Sequence, residues 1–147
     1  MRTMFHEGDR QHLFGRLRRL DLNRPPRWGR MTARQVPPHL LDQMRVTMGE
    51  VTVDRIPGPM RYSPLREAAL YWLPWPKGIK GPSQMFTTLP TDWAADLDAL
   101  VTIVERFVQR GPAGSWPEHP AFGRMNGRDW GVLCYRHFAH HISQFGG

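Results

Sequence analysis

Hydrophobic positions recur at helical spacing in four stretches of the chain, and no run shows firm strand-like alternation. From about Asp9 to Leu20, Leu13, Leu17 and Leu20 fall at i, i+4 and i+7, with Arg16, Arg18 and Arg19 turned largely to the other side. This predicts a first amphipathic helix. Asp21-Leu22-Asn23-Arg24-Pro25-Pro26 ends it, because paired prolines forbid continued helix and favour extended chain. Thr32-Ala33-Arg34-Gln35 fits a capping box, so a second helix is expected from there to about Val51. Pro37 and Pro38 conflict with an uninterrupted start, since a proline beyond the first turn costs about 3 kcal/mol. The helix is therefore kinked there or restarts at Pro38. On either reading His39, Leu40, Gln43, Met44 and Thr47 follow its inner stripe.

Between Asp54 and Pro90 the chain is broken by Pro57, Pro59, Pro64, Pro74, Pro76 and Pro82 and by Gly58, Gly78 and Gly81. A long crossover is expected, with Ser63-Pro64 opening a short helix over Leu65 to Trp72. A mostly irregular connection of this length suggests a lid or an interface, and Met60, Met85, Trp72 and Trp75 supply apolar material for either. The third helix is marked by one apolar stripe, Trp93, Leu97, Leu100, Val101, Val104 and Val108, and ends near Arg110-Gly111-Pro112. A fourth runs from Asn126 or Gly127 to Gln144, with Trp130, Leu133, Cys134, His137, His141 and Phe145 on one face. The expectation is one all-α domain over residues 1–147, with four main helices and a Pro-rich crossover between the second and third.

Composition changes this picture little. Forty per cent hydrophobic and 22% charged residues argue against wholesale disorder. The start, MRTMFHEGDRQHLF, has no apolar segment of the secretory kind, and no stretch approaches the ~18 apolar residues of a membrane span. A cytoplasmic location is the default expectation. The single Cys134 makes no internal disulfide, so a transition metal must be held mainly by His or carboxylates. The formal charge of +7 is compatible with nucleic acid or anionic substrates. The arginines concentrate in the first 36 residues without a block of five, an RNP signature, a finger spacing or a zipper, and this argues against nucleic acid.

Chemistry concentrates in His137-Phe138-Ala139-His140-His141. Residues four apart share a helix face, so His137 and His141 can reach a single ion. They share the face of Trp130 and Leu133, where a buried imidazole without a partner is costly. A surface pair, or histidines satisfied by backbone and water, is the plain alternative. His39 strengthens the metal reading, because it lies on the apolar side of a different helix. Three histidines leave coordination positions open, as catalytic metals require. His140, about 60° round the helix from His137, is expected to flank the site. His6, His12 and His119 are expected to be structural or exposed, and Cys134 a small core residue. Asp42, about one turn after His39, is the candidate carboxylate behind a ligand.

Four stretches resemble the DinB-like superfamily of metal-binding helical bundles, in a largely uncharacterised branch. They are RLRRLDLNRPPRWGRMTARQ (Arg16 to Gln35), LPWPKG (Leu73 to Gly78), the run ending VERFVQR, and HPAFGRMNGRDWGVLCYRHFAHHISQFG (His119 to Gly146). The resemblance implies a four-helix bundle, commonly dimeric, with one divalent ion held by a His on the second helix and an HxxxH on the fourth. His39, His137 and His141 match those positions, and Pro37-Pro38 departs from the pattern. By analogy it also implies a metal-dependent thiol transferase that activates a low-molecular-weight thiol for attack on a small-molecule substrate. Imidazole ligands suit zinc, nickel, iron and copper alike; zinc or nickel is the first expectation, with iron, manganese or copper the alternatives. Arg24, Arg27 and Arg30 are candidates to bind the carboxylates of such a thiol, a solvated basic surface being the plain alternative. A metal-dependent hydrolase and a non-enzymatic, metal-stabilised dimer are the competing expectations. No residue is identified as catalytic.

Overall fold

A computed structural model describes all 147 residues. Five helices and no strands make the fold all-α. The first, α1 (Glu7–Arg18), begins two residues before the predicted start because the His6 Nδ1 accepts from the Asp9 N–H at 3.3 Å and caps it. Glu7 and Asp9 lie in its first turn and Arg16 and Arg18 in its last, each sign at the end of the helix dipole that favours it. Leu20 is buried beyond the helix end.

A short 3-10 turn, Ala33–Gln35, leads directly into α2 (Val36–Thr47). The Gln35 side-chain oxygen accepts from the Thr32 N–H at 2.8 Å, one half of the expected box. Pro37 and Pro38 occupy the second and third helical positions. The N–H groups at those positions have no partner within a helix anyway, so the prolines cause neither a kink nor a late restart. The helix ends at Thr47, short of the predicted Val51, and is buried on nearly all sides.

The crossover carries a 3-10 turn (Pro59–Arg61), α3 (Leu65–Glu67) running straight into a π-helical turn (Ala68–Trp72), and another 3-10 turn (Ser83–Phe86). Pro64, not Ser63, takes the N-cap position of α3, and no side chain caps it. Charged side chains hold this segment down where regular structure does not. Arg136 donates to the carbonyls of Ala69, Leu70 and Leu73, and Arg61 donates to that of Pro120 at 2.6 Å. Asp42 accepts from the N–H groups of Thr87 and Thr88 at 2.9 and 2.8 Å.

The last two helices, α4 (Trp93–Arg110) and α5 (Gly127–Gln144), match their predicted bounds. Asn126 and Asp129 cap α5 reciprocally, each side chain accepting from the other's N–H. On α4 the buried face is Leu97, Leu100, Ile103, Val104 and Phe107, rotated from the predicted stripe, with Trp93, Val101 and Val108 only partly buried. The rotation has a cause. Leu100, Ile103, Val104 and Phe107 fall at i, i+3, i+4 and i+7, and Phe5, stacked on Phe107 at 4.6 Å, and Trp116, packed on it at 4.8 Å, cover the Ile103 and Phe107 side of that face, which the predicted stripe left out. Phe5 and Thr3 also press against α5 at Gly131, where a Cβ would lie 2.4 Å from the Thr3 Oγ1.

In the packed molecule α2 lies against α4 and α5, and α1 lies against α5. One core cluster draws on all four, including Leu13, Leu17, Leu40, Met44, Leu100, Phe107, Trp130 and Phe138. The crossover packs back on this core, its Ser83–Phe86 turn on α2 and its π-helical turn on α5. No helix is long and apolar enough to cross a membrane.

Candidate metal centre

His39 enters from the first turn of α2 and His137 and His141 from the last two turns of α5. The three Nε2 atoms converge: His39 to His141 is 3.0 Å, His141 to His137 is 3.0 Å and His39 to His137 is 3.3 Å. Two imidazoles on one ion at about 2.0–2.1 Å, spread between right and tetrahedral angles, hold their donor atoms about 2.9–3.4 Å apart. The observed separations fall in that range, and the trio can hold a metal ion.

The outer nitrogens decide what the inner ones can be. His39 Nδ1 lies 2.7 Å from the Met85 carbonyl, which only accepts, so Nδ1 carries the proton and Nε2 the lone pair. His141 Nδ1 lies 3.0 Å from the Gln144 Oε1, whose amide is oriented by a 2.7 Å bond from its Nε2 to the Trp28 carbonyl. His141 Nε2 is therefore also a bare acceptor. Two lone pairs thus face each other at 3.0 Å, and no tautomer of His137 relieves that contact. Protonation is opposed as well. Burial lowers the pKa of all three, moving His137 well below its ordinary value with His141 and His39 adding to the effect, and His141 to about 3. Neutral imidazoles whose free electron pairs meet at one point are suited to a cation.

The surroundings are largely aromatic. Phe86 stacks on His39 at 4.5 Å, and the Trp75 ring lies 5.9 Å from that of His137. His39 is buried, whereas His137 and His141 are partly exposed. His140 does not join the trio; its ring lies 5.2 Å from His141 and 5.4 Å from Trp28.

Asp42 is not the carboxylate behind His39. It turns to the Thr87 and Thr88 backbone, and so fixes the strand of chain that delivers the Met85 carbonyl and Phe86. The groups that do hold the histidines are Met85 and Gln144, neither of them among the sequence candidates. A backbone carbonyl has no sequence signature, but Gln144 stands three residues after His141, a spacing that places it within reach. Cys134 is fully buried, its thiol pushed up to about 11 by burial, and it belongs to the core. His119 accepts from the N–H groups of Ala121 and Phe122 at 3.0 Å each, His6 caps α1 and His12 is exposed. Arg24, Arg27 and Arg30 are exposed.

Residues 73–146, just over half of the 147, match a family described as "Protein of unknown function (DUF1569)". The chain belongs to DUF1569. The matched DUF1569 region includes Met85, His137, His141 and Gln144 and begins after His39, so two of the three histidines and both supporting groups fall inside it. No curated protein and no solved structure matches the chain.

Proposed function

We propose that this DUF1569 protein is a metal-binding bundle of the DinB-like type, in which His39, His137 and His141 hold one divalent ion, zinc or nickel first, and that it acts as a metal-dependent thiol S-transferase. The observation that carries the metal assignment is the contact of two bare imidazole acceptors, His39 and His141, at 3.0 Å with their outer nitrogens already committed. Three neutral ligands leave the charge of such an ion uncompensated, which lowers the pKa of a thiol or water brought to it. The chain's own residues hold the ligand tautomers through Met85 and Gln144, cover His39 with Phe86, and leave His137 and His141 open to solvent on one side.

A second reading, a non-enzymatic metal-stabilised dimer, is supported by the crossover. Tyr62, Leu65, Trp72, Leu73, Ile79 and Leu89 are all more than half exposed there, apolar surface of the kind that pairs with a second copy.

The first test is elemental analysis of untagged protein, comparing wild type with His39→Ala and His137→Ala. About one divalent ion per chain in the wild type, lost in both variants, is the expected result; stoichiometric metal retained by His137→Ala would refute the centre. Metal-dependent consumption of a thiol together with an electrophile then separates the transferase from the dimer. A dimer that loses its association with the metal, and shows no thiol chemistry, supports the second reading.

A further inference from the structure

Next to the histidine trio, α5 lines an open recess of about 270 Å³ together with Trp28 and Trp75; Tyr135, Arg136, Ala139, His140 and Ser143 are its residues from the helix. The cavity and the trio share walls. Trp75 lies 5.9 Å from the ring of His137 and 6.2 Å from that of His140, and His140 lies 5.2 Å from His141.

Its charge is of one sign. Lys77 Nζ sits 4.8 Å from the centre of the Trp28 ring, and the Arg136 guanidinium sits 5.3 Å from that of Trp75. The hydrogen bonds of Arg136 run to the carbonyls of Ala69, Leu70 and Leu73, which orient it without neutralising it. Tyr135 receives its hydrogen bond from a third cation, Arg2, at 2.9 Å. No carboxylate pairs with any side chain that lines the cavity. Two indoles favour a flat apolar body, and uncompensated cations at their faces favour a negative charge on it. The recess is shallow and open to solvent, and its volume of about 270 Å³ suits about one ring with a short substituent held on one side.

We infer that this cavity binds a small aromatic carboxylate, its ring against Trp28 and Trp75 and its charge toward Lys77 and Arg136, beside the metal centre. A role as the thiol's acceptor rests on the function proposed above and would require the bound ring to carry an electrophilic carbon, such as an epoxide whose C–O bond opens as the C–S bond forms; the cavity's role as a binding site does not.

Benzoate, benzamide and benzylammonium are titrated into the full chain, metal-free and metal-loaded, while the indole N–H resonances of Trp28 and Trp75 are followed by NMR. Saturable benzoate binding that moves both resonances is expected, with benzamide at least fivefold weaker and benzylammonium silent. Lys77→Glu, at an exposed position, lowers benzoate affinity about tenfold and leaves benzamide unchanged. Equal affinity for benzoate and benzamide, absence of saturable benzoate binding, or indifference to Lys77→Glu overturns the inference. His39→Ala keeps the two proposals apart. Benzoate binding that persists in metal-free His39→Ala upholds the carboxylate site whether or not the metal reading survives, and loss of that binding overturns its independence from the centre.

Discussion

Gln43, Thr47 and Cys134 meet between α2 and α5 about one helical turn from His39, His137 and His141, and both groups bury polar atoms at the same helix interface. In the first group the side chains turn inward on one another. The Gln43 amide donates to the Thr47 hydroxyl at 2.7 Å and to the Cys134 sulfur at 3.7 Å, and the Thr47 hydroxyl donates to the Gln43 carbonyl at 3.1 Å. One atom, the Gln43 Oε1, is left without a partner. In the histidine group the pairing is on the outside, to Met85 and Gln144, and what remains on the inside is a set of converging acceptors. Buried polarity at a helix interface therefore says little about function; the direction in which unsatisfied atoms point says much more.

The sharpest test of this contrast is thermal stability with and without metal. A divalent ion at a thousandfold excess over its Kd is expected to stabilise the wild type by about 4 kcal/mol, and the response disappears in His137→Ala. A wild-type melting temperature that ignores metal would place both clusters in the same structural class.

Acid provides the next test, through His119, whose Nδ1 is occupied by backbone N–H groups and does not face another bare acceptor. Burial, aided by Arg61, holds its folded pKa at about 3, while the unfolded value is about 6.5. Below about pH 6.5 the unfolded chain takes a proton that the folded chain refuses, so this stability is complete above 6.5 and drains as pH falls toward 3. Metal-free protein is expected to lose up to about 1.4 kcal/mol per pH unit from this group. Denaturant titrations between pH 7 and 4 should show a shallower loss in His119→Asn, whose metal content is unchanged.

Gln144→Leu removes the acceptor behind His141 and is expected to weaken metal binding about 10- to 100-fold in chelator competition. Gln43→Met, in the other cluster, should leave it unaltered. Equal losses in the two variants would erase the distinction. The smallest effect is expected from Cys134→Ala, about 1 kcal/mol of stability, as for other small deletions in a core. Consistent with a thiol pushed up to about 11, native Cys134 should resist thiol reagents at pH 8 and react fully once unfolded.

The parts of this molecule that could be read in advance are those governed by helical period and by local caps. Asn126 and Asp129 mark the start of α5, and the four-residue interval between His137 and His141 puts them together whatever surrounds the helix. The rest depends on chain segments with no period. Phe5 and Trp116 reach Phe107 from segments outside the helices, and the proton on His39 is set by a carbonyl delivered by the crossover. Asp42 had the right distance along α2 to support His39, but its oxygens are claimed by Thr87 and Thr88, a competition invisible without the path of residues 48 to 92.

His39 and His137 are separated by 98 residues of chain, a span that contains the whole crossover and α4. An ion bridging them would close that span into a ring, as a cross-link does in a protein with two cysteines to spend. A disulfide closing a ring of that size is worth about 4.7 kcal/mol in the chain-entropy model, because it persists in the unfolded chain. Unlike a disulfide, a ring closed by the ion would open on unfolding and on chelation, so its contribution would follow the free metal concentration and not a fixed loop entropy.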